Sequence, residues 1–395
     1  MFYDFPVIET IDDVLPHIEG RKEFNVMYKD DYTVINYMVA FEETFMWDDN
    51  DPIGSAIRRE CRGITFDKEG KLICRKYHKF FNAEEKLETQ LNKINLYEPH
   101  VVLQKFDGSL ISAQPSGDSF VLVTKSGVTE ISQQAEDHIS NKYLPPNPLH
   151  KPYHTFIQKC LQRNVTPLFE WVSRKNRIVI DYPEDQLILT GMRYNNTGNY
   201  VCYDVMKQYA SAWNIPVVQA VNGLSVQNIN LFVKQVREWE DAEGVVLRFD
   251  TGHMIKIKAD QYVLRHKTKD QISQEKNVLQ VILNDEVDDV IPLLMETDAK
   301  RLLDFQKAFW LSVDELASEM ADLYNAGNIL YPDQKDFAVN YVQRMILPIH
   351  APIMYAMKRG KRSKEIILEM IQKSLTSQTK IDENRWLWGW LNWND

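Results

Sequence analysis

A lysine at the end of an apolar run is the first residue in this chain placed to do chemistry. Val101-Val102-Leu103 leads through Gln104 into Lys105, and Phe106-Asp107-Gly108-Ser109 turns the chain back toward Leu110-Ile111. Positions two apart on extended backbone face the same way, so Lys105 and Asp107 share a side. Lysine is rarely buried at a strand end without a purpose. One purpose is nucleophilic attack, because a desolvated amine near other cations sheds its proton more readily. A Lys-x-Asp-Gly string is also an ordinary polar hairpin turn, so partners elsewhere must decide.

Four other stretches put charge in or beside apolar strands, where charge is costly unless paired or used. Lys256 and Lys258 flank Ile257, so both face one way while Ile255 and Ile257 face the other. A polyphosphate between them would relieve their repulsion; a solvated edge strand would carry the same pair. Glu243-Gly244 opens the preceding strand, and Glu170 stands between Phe169 and Trp171. Acids beside a lysine-rich phosphate site suit Mg²⁺ ligation or contact with sugar hydroxyls. Arg62 begins a strand beside Gly63, and arginine is the preferred bidentate clamp for phosphate. Lys79-Phe80-Phe81-Asn82 offers a cation and an aromatic platform, or simply two core phenylalanines and a surface lysine. Together the set suits attack on a nucleoside triphosphate.

The elements that must position these residues divide the chain in two. Its 395 residues suffice for two or three domains, with 44% hydrophobic and 26% charged residues in an ordinary globular balance. A net charge of −10 excludes a basic footprint over the whole chain, so any nucleic-acid site is local. The four scattered cysteines support neither a zinc ribbon nor a disulfide framework, and the nine histidines show no metal-ligand spacing. With no signal-like N-terminus and no long apolar run, a soluble, cytoplasmic, monomeric protein is expected.

Residues 1–24 read as a short helical lead. Strands follow over 25–39 (a pair turned at Lys29-Asp30-Asp31), 62–66, 72–75, 120–124, 167–172, 177–180 and 187–190, and the hairpin 243–258 turns at Asp250-Thr251-Gly252. Helices are expected at 52–59, 130–142, 151–163, 204–213 and 225–240. Hairpins predominate, which argues for an antiparallel α+β domain over 1–264 rather than a βαβ array. From 265 to 395 strand-type runs almost vanish and helical spacing takes over, so the second domain is expected to be all-helical.

The order of these motifs resembles the lysine-dependent nucleotidyltransferases: Lys105-Phe106-Asp107-Gly108-Ser109, Phe169-Glu170-Trp171-Val172, Glu243-Gly244-Val245-Val246, then Lys256-Ile257-Lys258. Glu60-Cys61-Arg62-Gly63, Lys79-Phe80-Phe81-Asn82, Asn176-Arg177-Ile178-Val179 and Lys256 to Tyr262 are similar, more narrowly, to the ATP-dependent RNA ligase 1 family of phages. That resemblance covers roughly residues 40 to 265. It implies an antiparallel-sheet adenylation domain and a ligase that joins RNA 5′-phosphate and 3′-hydroxyl ends through a lysyl-AMP intermediate. ATP and Mg²⁺ (or Mn²⁺) would be used, and tRNA or another single-stranded RNA would be the substrate. Lys105 would carry AMP. Arg62 and Lys79 would contact phosphates, and Phe81 would lie near the nucleotide. Glu170 would hold the ribose. Glu243 would act near the metal, with Asp107 a further metal candidate. Lys256 and Lys258 would bind the triphosphate, and Tyr262 matches a tyrosine near the site. Lys125 sits one place earlier than the family's lysine before a glycine, which leaves its role open. So do the alternatives of a DNA ligase, a GTP-using capping enzyme, or a non-catalytic RNA-binding relative. In the helical tail, the basic run Lys358 to Lys364 would serve as an RNA-backbone patch or a solvated helix junction. Trp386, Trp388, Trp390 and Trp393 would stack bases or pack the last helix.

Overall fold

The computed structural model describes residues 5–38, 40, 41, 43–140, 147–175, 177–224 and 228–394. It divides into two compact units, Met1–Val263 and Leu264–Asp395.

Twelve strands build the first unit. They are β1 (Phe24–Tyr28), β2 (Tyr32–Tyr37), β3 (Arg62–Asp67), β4 (Leu72–Cys74), β5 (Phe81–Asn82), β6 (His100–Lys105), β7 (Ser109–Ser116), β8 (Ser119–Val123), β9 (Val165–Val172), β10 (Gln186–Tyr194), β11 (Gly244–Phe249) and β12 (Met254–Lys258). They form three four-stranded sheets, ordered β1-β2-β3-β4, β10-β9-β7-β8 and β5-β12-β11-β6. All pairings are antiparallel except β5 with β12. The hairpin signals therefore correspond to real hairpins, and the α+β architecture follows.

Alternation explains which faces are buried. On β12, Met254, Ile255 and Ile257 are buried while Lys256 and Lys258 are half-buried. β12 lies between β5 and β11, so Lys256 and Lys258 do not guard a free edge. The middle sheet packs Ile111, Phe169, Leu187 and Leu189 against Phe156 and Ile157 of the helix His150–Gln162. The third sheet packs Val245, Leu247, Ile255 and Ile257 against Phe232, Val233 and Val236 of the helix Ile229–Arg237.

Three expectations need correction. The lead contains only two single-turn 3₁₀ helices, Ile11–Asp13 and Leu15–His17, in its described part. Three residues cannot offset the cost of nucleating a longer helix, and Pro16 removes a donor. Second, Arg177 to Ile180 is not a strand, because the amides of Val179 and Ile180 both donate to the Asp107 carboxylate, at 2.6 and 2.8 Å, and so cannot feed a ladder. Third, the helix expected over 130–142 is seen as Glu130–Ile139. Residues 141 and 142 lie outside the described residues, as do Val39, Asn176 and 225–227.

The second unit is helical throughout its described residues, around a 35-residue helix, Glu296–Leu330. Its core gathers Leu302, Phe309, Val313, Ile353, Ile367 and Trp388. Trp386, Trp388 and Trp393 are buried and pack the tail, whereas Trp390 is 65% exposed. Of the basic run, Lys358 donates to Asn328 at 2.6 Å. Lys361 pairs with Glu369 and Lys364 with Asp314, each at 2.6 Å. Those three cations serve their own unit. Among the described residues no helix is long and apolar enough to cross a membrane.

Candidate functional site

A cleft of about 290 Å³ opens on the face of the third sheet. Arg62, Lys79, Lys105, Glu170, Lys256 and Lys258 line it together, although they come from five separate stretches of sequence. Strand register brings them into place. Gly244 of β11 pairs with Lys105 on one side and with Lys258 on the other. Glu243, just before Gly244, reaches both lysines. Its Oε2 accepts from Lys105 Nζ at 2.8 Å, and its Oε1 lies 3.2 Å from Lys258 Nζ. Glu243 is buried, so the charge it would leave uncompensated is matched by two cations.

Lys105 is followed by a turn that only a residue without a side chain allows. A Cβ at Gly108 would stand 2.4 Å from the Trp171 carbonyl oxygen. The hairpin that follows Lys105 therefore lies directly on β9, which carries Glu170. Asp107 holds the turn from below. It is buried; its Oδ2 accepts the two amides of Val179 and Ile180, and its Oδ1 accepts from the Tyr262 hydroxyl at 2.7 Å. The metal role expected of Asp107 does not fit this placement, because both oxygens are committed to protein donors. Tyr262 stands near the site as expected: its hydroxyl donates to Asp107 and its ring centroid lies 5.1 Å from Lys258 Nζ, beside the cleft rather than in its lining.

Electrostatics vary sharply within the cleft. Burial pushes the Glu170 carboxyl up to about 7, with Lys105 opposing and Glu243 adding to the rise. Burial also brings the Lys256 ammonium down to about 7, helped by the neighbouring cations Arg62, Lys79 and Lys105. The phenol of Tyr37 falls below its ordinary value despite burial, because Lys79, Arg62 and Lys125 surround it. Lys79 Nζ lies 4.9 Å and Lys125 Nζ 5.3 Å from the Tyr37 ring centroid. Lys125 thus joins Arg62 and Lys79. Gly63, at φ +83°, permits this, because a Cβ there would stand 2.6 Å from the Lys125 carbonyl oxygen.

Phe81 is not where the sequence suggested. It is buried against Phe45 and Arg59, and its neighbour Phe80 lines the cleft instead. Lys256 Nζ sits 5.2 Å from the Phe80 ring centroid. The cleft also takes Tyr37, Tyr77, Thr190 and Arg248, which sequence reasoning missed. Arg248 alone left a signal, a charge inside the apolar run Val245 to Phe249.

Behind the cleft lies a buried ion network. Glu60 accepts two bonds from Arg193, at 2.7 and 2.8 Å, and one from Arg75 at 3.2 Å. Burial would raise the Glu60 carboxyl, but Arg193 and Arg75 hold it at about 2.

For a metal, the donor that fits is the carboxylate of Glu170, whose hard oxygens suit Mg²⁺ or Mn²⁺; the metal role expected of Glu243 meets the same objection as that of Asp107, since Lys105 and Lys258 engage both its oxygens. Among the described residues no group of three or more His, Cys, Asp or Glu side chains could hold an ion by itself. Substrate oxygens would complete such a shell, as is usual for Mg²⁺.

A model of a family described as RNA ligase matches residues 60–271, more than half of the chain. The chain belongs to the RNA ligase family. A protein of Thermovibrio ammonificans that carries an RNA ligase name is 26% identical over 310 residues, 74% of this chain and 75% of that one. A protein of Autographa californica nuclear polyhedrosis virus, named as a bifunctional polynucleotide kinase/RNA ligase, is 25% identical over 285 residues. That match covers 69% of this chain and 39% of the viral protein. A solved archaeal ATP-dependent RNA ligase superposes with a TM-score of 0.46 at 12% identity, covering 65% of this chain and 64% of its own. This family member therefore spans less than two thirds of the viral and archaeal proteins. The matched residues take in every cleft lysine named above, Arg62, and both acids.

Proposed function

We propose that this family member is an ATP-dependent RNA ligase that seals RNA 5′-phosphate and 3′-hydroxyl ends, with Lys105 as the nucleophile. The observation that carries the reading is the placement of the Lys105 amine, 2.8 Å from Glu243, in a cleft flanked by Lys256, Lys258, Arg62 and Lys79. An amine alone would be an ordinary ion pair. An amine encircled by four further cations is a site for a polyanion.

The triphosphate of ATP lies along those cations, which neutralise charge growing on the phosphoryl oxygens. Glu243 accepts the Lys105 proton, and the free amine attacks the α-phosphorus. The N–P bond forms as the bond to pyrophosphate breaks, leaving lysyl-AMP. The AMP then passes to an RNA 5′-phosphate, and a 3′-hydroxyl displaces it to form the phosphodiester. A divalent cation held by Glu170 and by substrate oxygens would add Lewis-acid charge neutralisation at the phosphates. Lys258 keeps Glu243 oriented, and Asp107 with Tyr262 keeps the hairpin that presents Lys105 in place. Tyr37, Lys79 and Lys125 stand at one edge of the cleft as further anion contacts.

Intact mass measurement with ATP and Mg²⁺ tests this. One AMP is expected on Lys105, either formed on addition or already present and released by pyrophosphate. Lys105→Ala should take up no AMP, yet still join RNA supplied with an adenylylated 5′ end. AMP uptake by that variant would sink the assignment. GTP beside ATP, and DNA beside RNA ends, separate this reading from capping enzymes and DNA ligases.

A further inference from the structure

Lys105 and Lys258 stand at one end of the cleft and Arg248 at the other. Successive rows of the third sheet run away from the nucleophile. Gly244 is flanked by Lys105 and Lys258, Val246 by Leu103 and Lys256, and Arg248 by Val101 and Met254. All three β11 residues are two apart, so they share one face. Arg248 therefore lies four residues beyond the Lys105 row, roughly 13 Å at the usual rise of a strand. That span is of the order of a nucleoside monophosphate from phosphate to far base edge. The middle of the cleft is apolar, with Leu103, Val218 and Val246.

Arg248 is only 5% exposed and lines the cleft. Its Nη2 donates to the Val201 carbonyl, and its guanidinium sits 5.3 Å from the Tyr200 ring centroid. Its Nη1 is buried with no hydrogen-bond partner among the described residues. Buried donors on a charged group are normally satisfied, so an orphan donor on a residue that lines a ligand cleft points to a ligand acceptor.

We propose that Arg248 is the base-reading residue of the cleft, its Nη1 donating a hydrogen bond to a ring nitrogen on the far edge of the bound purine. The inference rests on the reading of the cleft as an ATP site. Phosphates at Lys105, Lys256 and Lys258 and a base over Leu103 and Val246 leave only the outer base edge to meet Arg248. A purine reaches that row with a ring acceptor, whereas a pyrimidine carries its acceptors closer to the sugar. Tyr200 holds the guanidinium flat, and Tyr77, stacked on the same Tyr200 at 5.6 Å, closes the end.

The test is equilibrium binding, measured by calorimetry on the full chain in a Lys105→Ala background so that no covalent capture intervenes. ATP is compared with 1-deaza-, 3-deaza- and 7-deaza-ATP, each lacking one ring acceptor. One analogue is expected to bind about tenfold weaker than ATP, and the gap is expected to close in Arg248→Met. A merely structural arginine would lower affinity for all four nucleotides alike. No gap for any analogue, or an undiminished gap in Arg248→Met, overturns the proposal. If Arg248→Met does not fold, Arg248→Gln serves in its place, and an undiminished gap there overturns the proposal in the same way. ATP binding with the expected gap, but no AMP adduct on the Lys105 protein, would overturn the ligase reading and leave this one standing. No ATP binding overturns both.

Discussion

Replacing Glu170 by Gln should stabilise the protein, and by an amount that grows with pH. In the folded chain burial holds the Glu170 proton up to about 7, against an ordinary value of 4.5. Near pH 4 the acid is protonated in both states and the amide substitutes for it with little change. Above that, the unfolded chain ionises while the folded chain does not, so wild-type stability falls as pH rises toward 7. The interval from 4.5 to about 7, at about 1.4 kcal/mol per pH unit, caps the gain at about 3.5 kcal/mol near pH 8. At pH 5 the same arithmetic leaves less than about 1 kcal/mol. Urea unfolding followed by tryptophan fluorescence at the two pH values measures the difference, with Trp171 adjacent on β9 as a local reporter. A gain that is equal at both pH values, or that is larger at pH 5, would refute the argument. The same substitution should slow AMP uptake, so stability and activity move in opposite directions, as expected where a site is strained by its function.

Lys256→Met should also stabilise, with the opposite pH sense. The folded lysine loses its proton above about 7 and the unfolded one only near 10.5, so the gain is full below 7 and gone by about 10.5. AMP uptake should fall by about 10²- to 10³-fold in a self-labelling assay. Arg193→Met leaves Glu60 with one of its two buried cations and should cost about 3–5 kcal/mol in denaturant unfolding. Gly108→Ala drives a methyl into the Trp171 carbonyl, 2.4 Å away, and should cost about 1–3 kcal/mol while abolishing self-labelling.

The parts legible in the sequence were those that break a local rule. Lys105, Glu170, Glu243 and Lys256 each interrupt or terminate an apolar run, and a buried charge demands a reason. Hairpins were legible because turn residues and alternation are local signals. What escaped depends on pairing over long distances. Whether Phe80 or Phe81 faces the cleft is a question of parity, set when Phe81 pairs in parallel with Ile255. The apolar run Ile178 to Ile180 imitates a strand, and only the distant Asp107 shows where its amides go. Tyr37 gives no warning at all, since a tyrosine in an alternating strand is ordinary until Lys79 and Lys125 arrive beside it.

The ion pair between Lys105 and Glu243 joins residues 138 apart in the chain. β6 and β11 are hydrogen-bonded neighbours, yet the whole middle sheet is made from residues between them. Closing such a loop costs more entropy than closing a local hairpin, and pairings of this separation are of the kind that slow folding. During synthesis Lys105 emerges long before Glu243, Lys256 and Lys258. On the proposed reading, a nascent or truncated chain ending before β11 would carry Lys105 without Glu243, Lys256 or Lys258 and would take up no AMP.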